Sequence, residues 1–293
     1  MENTVRTKAG SDTVGRRSTG GARRRAARAG RAAVANGRER ASERQPTAPR
    51  NVLLVKAGDA AAPVRLGAGD YDRWFFEALG QEGHRFTTVA AHLGAALPAR
   101  ARAFDAVLVA GSPLSVTQPQ PWMVRLAEWL REAADQQVPI LGVCFGHQLL
   151  AWAWGARVVR NVQGREVGTV EVQLSSEGRG DPLFAGLPER FCVQATHEDI
   201  VERAPAGARV LAGNANTALQ ALAFAPRVRG VQFHPELTSG ALAALVGARA
   251  ERLEEEARAL GLPPNERVPR ILAGLGPTPA GPRILRNFLQ HFA

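Results

Sequence analysis

The stretch 138-VPILGVCFGHQLLAWAWGA-156 decides the fold, because a short apolar run ends there in a corner between two glycines. Its first part is typical of a buried strand, and its second part has the spacing of an apolar helix. Cys144, one of only two cysteines in the chain, stands between Gly142 and Gly146. Glycines at this spacing permit a tight strand-to-helix turn that presents the central side chain to a cleft. The stretch therefore predicts a nucleophile elbow.

The chemistry of such a corner depends on the sulfur of Cys144. The N–H groups and the dipole at the start of the following helix favour the thiolate, which is the nucleophilic form. The backbone N–H of Phe145 lies where a donor to a developing oxyanion is needed. A buried structural cysteine would need neither flanking glycine. We therefore predict that Cys144 is a catalytic nucleophile and that Phe145 supplies one oxyanion donor.

A histidine and a glutamate far downstream are the candidate partners of this sulfur. The segment 230-GVQFHPELTSG-240 places His234 and Glu236 two residues apart at the end of a predicted strand. Alternate residues of a strand project to the same side, so Glu236 can orient the imidazole of His234, which deprotonates Cys144. Hydrolases of the α/β class with a similar elbow usually place the acid well before the histidine. The order of the residues here therefore argues against that class.

Strands and helices alternate along the chain up to this elbow. Strands are predicted at 50–55, 84–89, 104–110 and 139–143, with helices at 70–79 and 122–135 and a loop at 58–69. Asp70 is the predicted N-cap of the first helix. The alternation is typical of an α/β fold in which helices cover both faces of a mostly parallel sheet.

Short β-rich runs beyond the elbow predict an antiparallel or mixed extension of the same sheet. They lie at 169–174, 191–195, 208–213, 218–223 and 230–233. Helical patterns then return, with a charged helix at 241–260, a Pro/Gly loop at 261–268 and a final helix at 282–292. We expect residues 50–293 to form one domain, in which 241–293 is a C-terminal helical extension.

The positive charge of the chain is concentrated at its N-terminus. Residues 1–50 carry 13 Lys+Arg and four Asp+Glu, so this segment holds +9 of the net charge of +10. It contains no Phe, Trp, Tyr, Leu or Ile and cannot bury enough apolar surface to offset the entropy of ordering it. We expect residues 1–49 to be a disordered basic tail.

Three explanations of the tail remain open. It is an arm that holds polyanions such as nucleic acids by charge alone, an organelle transit peptide, or an arginine-rich translated stretch without a role. No sequence-specific nucleic-acid binding is expected from it.

The composition also bears on the compartment and on cofactors. Two cysteines make no disulfide framework, no signal peptide is evident, and no apolar run reaches the roughly 20 residues that span a bilayer. We expect a cytoplasmic protein that contacts no membrane. No Cys/His group has metal-ligand spacing, so neither a metal nor another cofactor is predicted. Cys192, in a short predicted strand, is expected to fill the core.

The elbow belongs to a longer motif, G-x-C-x-G-x-Q, whose fixed positions are Gly142, Cys144, Gly146 and Gln148. Together with the later F-H-P-E at 233–236, this motif resembles the class I glutamine amidotransferase domain. The chain is most similar to stand-alone relatives of the GMP synthase amidotransferase domain, a group that includes γ-glutamyl peptidases. The resemblance spans about residues 50–293 and implies a flavodoxin-like sheet and a substrate that is glutamine or a γ-glutamyl compound.

Further site residues follow from this resemblance alone. Gly111 and Ser112 match the loop that supplies the second oxyanion donor, here the N–H of Ser112, although the family often has a second glycine in place of this serine. Gln148 matches the residue that helps bind the α-amino-acid end of the substrate.

Two downstream segments complete the resemblance. Glu166 and Gly168 belong to a segment that resembles the lining of the glutamine pocket. Thr196 and His197 open an S/T-H-x-D loop that packs beside the cysteine in the family. A substrate-loop or structural role is favoured for His197 over that of the base.

Three functions are compatible with these residues. In the first, glutamine is hydrolysed through a Cys-His-Glu triad, and ammonia passes to an acceptor. The S-G-G-x-D-S loop of the GMP synthase ATP-pyrophosphatase domain is absent from the sequence, so an acceptor is expected on a separate synthetase polypeptide. In the second, a γ-glutamyl peptide or amide is hydrolysed. In the third, the protein is a non-catalytic relative that binds a partner.

Overall fold

The computed structural model describes residues 49–80 and 83–293, which contain a nine-stranded sheet, a two-stranded sheet and nine α-helices. Apart from Pro49, the tail predicted at 1–49 lies outside the described residues.

The strands, in chain order, are β1 Asn51–Lys56, β2 Arg85–Ala90, β3 Ala106–Val109, β4 Ile140–Val143, β5 Val158–Arg160, β6 Glu166–Leu174, β7 Arg190–His197, β8 Asp199–Val201, β9 Arg209–Gly213, β10 Ala221–Ala225 and β11 Val228–Val231. The α-helices are α1 Ala62–Ala68, α2 Tyr71–Leu79, α3 Pro121–Asp135, α4 Phe145–Ala153, α5 Ser176–Arg179, α6 Ser239–Ala248, α7 Ala250–Ala259, α8 Arg267–Ala273 and α9 Ala280–His291.

The large sheet has the order β2-β1-β3-β4-β11-β10-β9-β6-β7. Its first five strands are parallel, in the order typical of flavodoxin-like folds. The other four extend the sheet through antiparallel pairings. The predicted α/β fold, a flavodoxin-like sheet with an antiparallel extension, is therefore confirmed.

Alternation along the strands divides the core into two layers. In β1, Val52 and Leu54 face one apolar cluster, while Leu53 and Val55 face another. The first cluster includes apolar side chains of α2, α6 and α9, and the second includes those of α3 and α4. Helices thus cover both faces of the sheet, as the sequence pattern predicted.

Several boundaries differ from the sequence-based expectations. The loop expected at 58–69 contains α1, which begins with Ala62 and Pro63, and proline is favoured in the first turn of a helix. The strand expected at 218–223 lies at Ala221–Ala225. The short paired strands β5 and β8 were not predicted, because three-residue strands carry almost no periodicity.

The C-terminal helices also differ from their predicted bounds. The single helix expected at 241–260 is divided at Arg249, whose φ of −115° and ψ of 14° are not helical. The loop expected at 261–268 ends early, since α8 begins at Arg267. None of the helices in the described ranges is long and apolar enough to cross a membrane.

The expectation that Cys192 fills the core is wrong. Cys192 is exposed on β7, an edge strand of the sheet, between the buried side chains of Phe191 and Val193. The period of two along a strand explains this, because neighbours of an inward-facing residue must face outward.

Candidate active site

Cys144 lies at the turn between β4 and α4, at the carboxyl edge of the parallel strands. Its φ of +52° and ψ of −100° place it in a region that residues with a side chain rarely adopt. The surrounding structure holds this conformation: the Cys144 N–H donates to the carbonyl of Val231 in the neighbouring strand at 2.8 Å. Such strain is concentrated at functional sites, and this turn is the predicted elbow in geometric form.

The two glycines are required by close packing at this turn. A Cβ on Gly142 would lie 2.4 Å from the carbonyl oxygen of Gly146, and a Cβ on Gly146 would lie 2.4 Å from that of Val109. Any side chain at either position would force the start of α4 away from the sheet. The glycines therefore allow α4 to begin directly against β3 and β4.

His234 and Glu236 form a buried hydrogen-bonded pair. Nδ1 of His234 lies 2.6 Å from Oε1 of Glu236, and the two residues are 2% and 3% exposed. The strand expected at 230–233 is wrong in its bounds, since β11 ends at Val231. His234 is instead positioned by a single antiparallel bridge to Gln194, whose carbonyl accepts its backbone N–H at 2.8 Å.

The electrostatics of the pair favour a protonated imidazole. Burial works to lower the pKa of His234, but the charge of Glu236, the charge of Cys144 and hydrogen bonding to both outweigh burial and raise it to about 10. Cys144 therefore acts directly on the imidazole that Glu236 orients. The structure brings the three predicted residues together.

Gly111 has a different place from the one expected. It does not line the cavity at Cys144; a Cβ there would lie 2.7 Å from Cε1 of His234 and 3.2 Å from Cε1 of Tyr71. The backbone of Gly111 thus forms a wall against which the His234 ring packs.

A cavity of about 420 Å³ opens at the sulfur of Cys144. Four of the residues assigned from the resemblance line it, namely Ser112, Gln148, Thr196 and His197. Glu166 and Gly168 do not line it, and Glu166 faces a second cavity of about 900 Å³ instead. The expected lining segment is therefore absent from this cavity, and any role for these two residues in substrate binding stays a prediction.

The two expected oxyanion donors lie on either side of the elbow. The hydroxyl of Ser112 donates to the carbonyl of Ala57 at 2.8 Å and accepts from the N–H of Leu114 at 3.0 Å, which fixes the loop. Phe145 is the first residue of α4, so its N–H has no acceptor within the helix. Its ring stacks on Trp122, with 5.7 Å between the ring centroids.

Gln148 holds the floor of the cavity together. Its side-chain amide donates to the carbonyl of Asp199 at 2.7 Å and to Oε1 of Gln232 at 3.2 Å. The amide N–H₂ is therefore engaged by the protein itself, and Gln148 fixes the chain at Asp199, which also lines the cavity.

His197 joins the two cavities through hydrogen bonds. Its Nε2 lies 2.8 Å from Oε2 of Glu166, and its Nδ1 lies 3.2 Å from the carbonyl of Asp199. Burial works to raise the pKa of Glu166, but hydrogen bonds from His197, Asn214 and Gln220 lower it overall. Both ring nitrogens are thus occupied away from the sulfur, in agreement with the structural role favoured for His197.

Four arginines that sequence reasoning missed also line the cavity: Arg160, Arg165, Arg249 and Arg252. They come from β5, the loop before β6 and the junction of α6 with α7. No local pattern in the sequence identifies them. Only the packing of the C-terminal helices near β7 brings the last two to this cavity.

Comparisons with known proteins agree with this geometry. A family model described as glutamine amidotransferase class-I matches residues 69–246. The amidotransferase-type subunit of the glutamine-hydrolyzing GMP synthase of Saccharolobus solfataricus is 37% identical over 135 residues, which cover 46% of this chain and 68% of that protein. The γ-glutamyl-L-1-hydroxyisopropylamide hydrolase of a Pseudomonas species is 31% identical over 196 residues, which cover 65% of each chain.

The match to longer relatives is partial. Against the glutamine-hydrolyzing GMP synthase of Thermomicrobium roseum it is 37% identical over 140 residues, which are 48% of this chain and 25% of that protein. This chain therefore matches about a quarter of that synthase.

Solved structures show the same fold at low identity. Glutamine amidotransferases from Methylobacillus flagellatus and Thermotoga maritima superpose with TM-scores of 0.65 and 0.63 at 23% and 20% identity. They cover 83% and 82% of this chain, and 93% and 96% of their own.

Proposed function

The chain belongs to the class I glutamine amidotransferase family, and from this premise we propose that it hydrolyses the γ-amide of glutamine with Cys144, His234 and Glu236. The observation that carries the proposal is the buried His234–Glu236 pair acting on a cysteine held in a strained elbow. A structural cysteine has no need of a backbone with positive φ, of two flanking glycines or of a charged imidazole beside it.

The reaction proceeds in two halves. The thiolate of Cys144 attacks the γ-carbonyl carbon, and the N–H groups of Ser112 and Phe145 stabilise the oxyanion, at roughly 3 kcal/mol for each donor. The imidazolium of His234 gives its proton to the leaving nitrogen as the C–N bond breaks, which leaves a γ-glutamyl thioester and ammonia. His234 then takes a proton from water, the water attacks the thioester, and glutamate and the thiol are released.

Glu236 acts in both halves by holding the imidazole. Its Oε1 accepts from Nδ1 and so leaves Nε2 for proton transfer. Because the pair is buried, the carboxylate retains most of its effect on the ring, with little screening by water.

We propose further that released ammonia is used by a separate synthetase protein. The S. solfataricus relative is named as one subunit of a GMP synthase, which supports a partner of this kind. Cytoplasmic location follows as part of the same proposal, because Cys144 and Cys192 are free thiols and a reducing compartment keeps them so.

Hydrolysis of other γ-glutamyl amides is the second candidate. The alignment with the Pseudomonas hydrolase is longer than that with the S. solfataricus protein, 196 residues against 135, and covers the same share of both chains. The two candidates share every step at Cys144 and differ only in the leaving group.

One assay separates these candidates. The full chain is incubated with glutamine and with γ-glutamyl peptides, and ammonia and glutamate are measured. Glutamate from glutamine supports the first candidate, and glutamate from the peptides alone supports the second. Cys144→Ala is expected to abolish either activity. If neither compound is hydrolysed and a glutamine-like diazoketone does not label Cys144, both candidates fail, and a non-catalytic, partner-binding protein is the remaining explanation.

A further inference from the structure

The cavity at Cys144 has a cluster of positive charge on its wall. Of the four arginines that line it, three are paired with carboxylates. Arg160 and Arg165 each form an ion pair with Glu198. Arg252 contacts the same carboxylate at 2.6 Å. These three arginines are therefore held and largely neutralised by the protein itself.

Arg249 differs from the other three. Within residues 49–80 and 83–293, it forms no ion pair with a carboxylate. Its Nη1 donates to Oγ1 of Thr196 at 3.0 Å, and its side chain also hydrogen-bonds to Tyr71. Arg249 is half-buried, so its charge is only partly solvated. A cation that is fixed, partly desolvated and unpaired is available to an anion that enters the cavity.

The backbone directs this side chain to the site. Arg249 ends α6 and precedes α7, and its non-helical φ and ψ break what would otherwise be one helix. The break places the guanidinium beside Thr196, whose side chain lines the same cavity as Cys144. The hydrogen bond to Thr196 uses one of the five N–H donors of Arg249 and leaves the others free to bind a ligand.

Tyr71 connects Arg249 with the reacting groups. Burial raises the pKa of the Tyr71 phenol, the charge of Arg249 opposes that rise, and the charges of Cys144 and Glu236 add to it. Tyr71 therefore lies within electrostatic reach of Arg249 and of the nucleophile. An anion bound by Arg249 is thus close to the sulfur without being at it.

We propose that Arg249 binds the α-carboxylate of the γ-glutamyl substrate, an inference that rests on the proposed hydrolysis of γ-glutamyl amides. Every γ-glutamyl substrate carries this carboxylate a few bonds from the carbon that Cys144 attacks. The planar guanidinium fork matches a carboxylate in two parallel hydrogen bonds. The cavity also carries the carboxylate of Asp199, which supplies the opposite charge that an α-ammonium group needs.

The test measures binding apart from turnover. In a Cys144→Ala background, binding of L-glutamine is measured by calorimetry with and without Arg249→Met. Loss of a charge-assisted pair is expected to weaken binding roughly 10- to 100-fold. Arg249→Lys keeps the charge but not the fork and is expected to fall between the two. Thermal melting of both variants checks that they are folded.

A matched control separates a specific contact from general attraction. Arg252→Met removes one positive charge from the same cavity, but from an arginine already paired with Glu198. It is expected to change the affinity less than threefold. Equal weakening by Arg249→Met and Arg252→Met would mean that only net charge matters, and this would overturn the proposal.

The ligand and the kinetics supply two further controls. Glutamine whose α-carboxylate is converted to an amide should bind weakly and be insensitive to Arg249→Met. In the protein with Cys144 intact, Arg249→Met is expected to raise KM much more than it lowers kcat. A fall in kcat alone would assign Arg249 to the oxyanion instead and overturn the proposal.

The two proposals fail in different ways. Absence of turnover, with binding of glutamine that depends on Arg249, refutes the hydrolysis and leaves the carboxylate site in place. Turnover with an affinity unchanged by Arg249→Met refutes only the role of Arg249. Failure of the Cys144→Ala protein to bind glutamine at all also overturns that role.

Discussion

Nδ1 of His234 lies 2.6 Å from Oε1 of Glu236, in a place that water hardly reaches. The histidine comes from the chain just after β11, and it is fixed there by its bridge to Gln194 in β7. The parallel half of the sheet therefore supplies the cysteine, whereas the contact with the antiparallel extension fixes the histidine. The junction of the two halves is where the site forms.

Glu236→Gln tests the electrostatic part of this relationship. The amide retains the shape of the carboxylate but not its charge, so the pKa of His234 should fall from about 10 toward its ordinary value of 6.5. Because the imidazole must transfer protons in both halves of the reaction, kcat should fall by roughly 10²- to 10⁴-fold. NMR titration of the His234 ring measures the first effect and glutamate release the second. An unchanged His234 titration would contradict the assigned contact.

The same pair predicts a dependence of stability on pH. The pKa of His234 is about 10 in the folded protein and near 6.5 in the unfolded chain, so the folded state holds this proton more tightly. The stabilisation is therefore fully present below about pH 6.5 and is lost as the pH rises toward 10. Urea unfolding between pH 6.5 and 10 should show a falling free energy of unfolding. In His234→Gln this contribution to the slope should be absent, and an equal slope in the two proteins would contradict the prediction.

Gly111→Ala tests how the histidine ring is positioned. The added methyl group would lie 2.7 Å from Cε1 of His234, closer than such contacts allow, so the ring must move. We expect kcat to fall at least tenfold, since a displacement of about 1 Å from the reactive geometry is costly.

A glycine on the surface provides the control for this substitution. Gly67, on α1, is exposed and has nothing within 4 Å of an added Cβ. Gly67→Ala should leave turnover unchanged. Equal turnover in Gly111→Ala and the wild-type protein would show that the wall formed by Gly111 does not position the ring.

Features coded by neighbouring residues were predictable from the sequence. The elbow follows from Gly142, Cys144 and Gly146 alone, because the backbone conformation and close packing are local requirements. Asp70 was also recognisable as an N-cap, and its Oδ1 accepts the N–H of Tyr71 at 2.8 Å. The alternation of apolar strands and helices was sufficient for the α/β fold.

Features that depend on pairing between distant segments were not predictable. Glu166 faces away from the cavity at Cys144 because β6 pairs with β7 in a register that sets it opposite His197. Arg249 reaches the cavity because a charged helical pattern breaks at a residue with no glycine or proline beside it. Neither the register nor the break leaves a local signal in the chain.

Gly146→Ala tests whether the elbow is also essential for folding. The added Cβ would lie 2.4 Å from the carbonyl oxygen and 2.9 Å from the Cβ of Val109, neither of which is the movable end of a flexible side chain. The start of α4 must therefore shift, and overpacking of this kind costs roughly 1–3 kcal/mol. Urea unfolding should show this loss together with a loss of turnover, because the shift also moves Cys144. Gly247→Ala, on an exposed position of α6 with nothing within 4 Å, should instead keep or slightly raise the stability. If Gly146→Ala were as stable and as active as Gly247→Ala, close contact between α4 and β3 would not be what shapes the elbow.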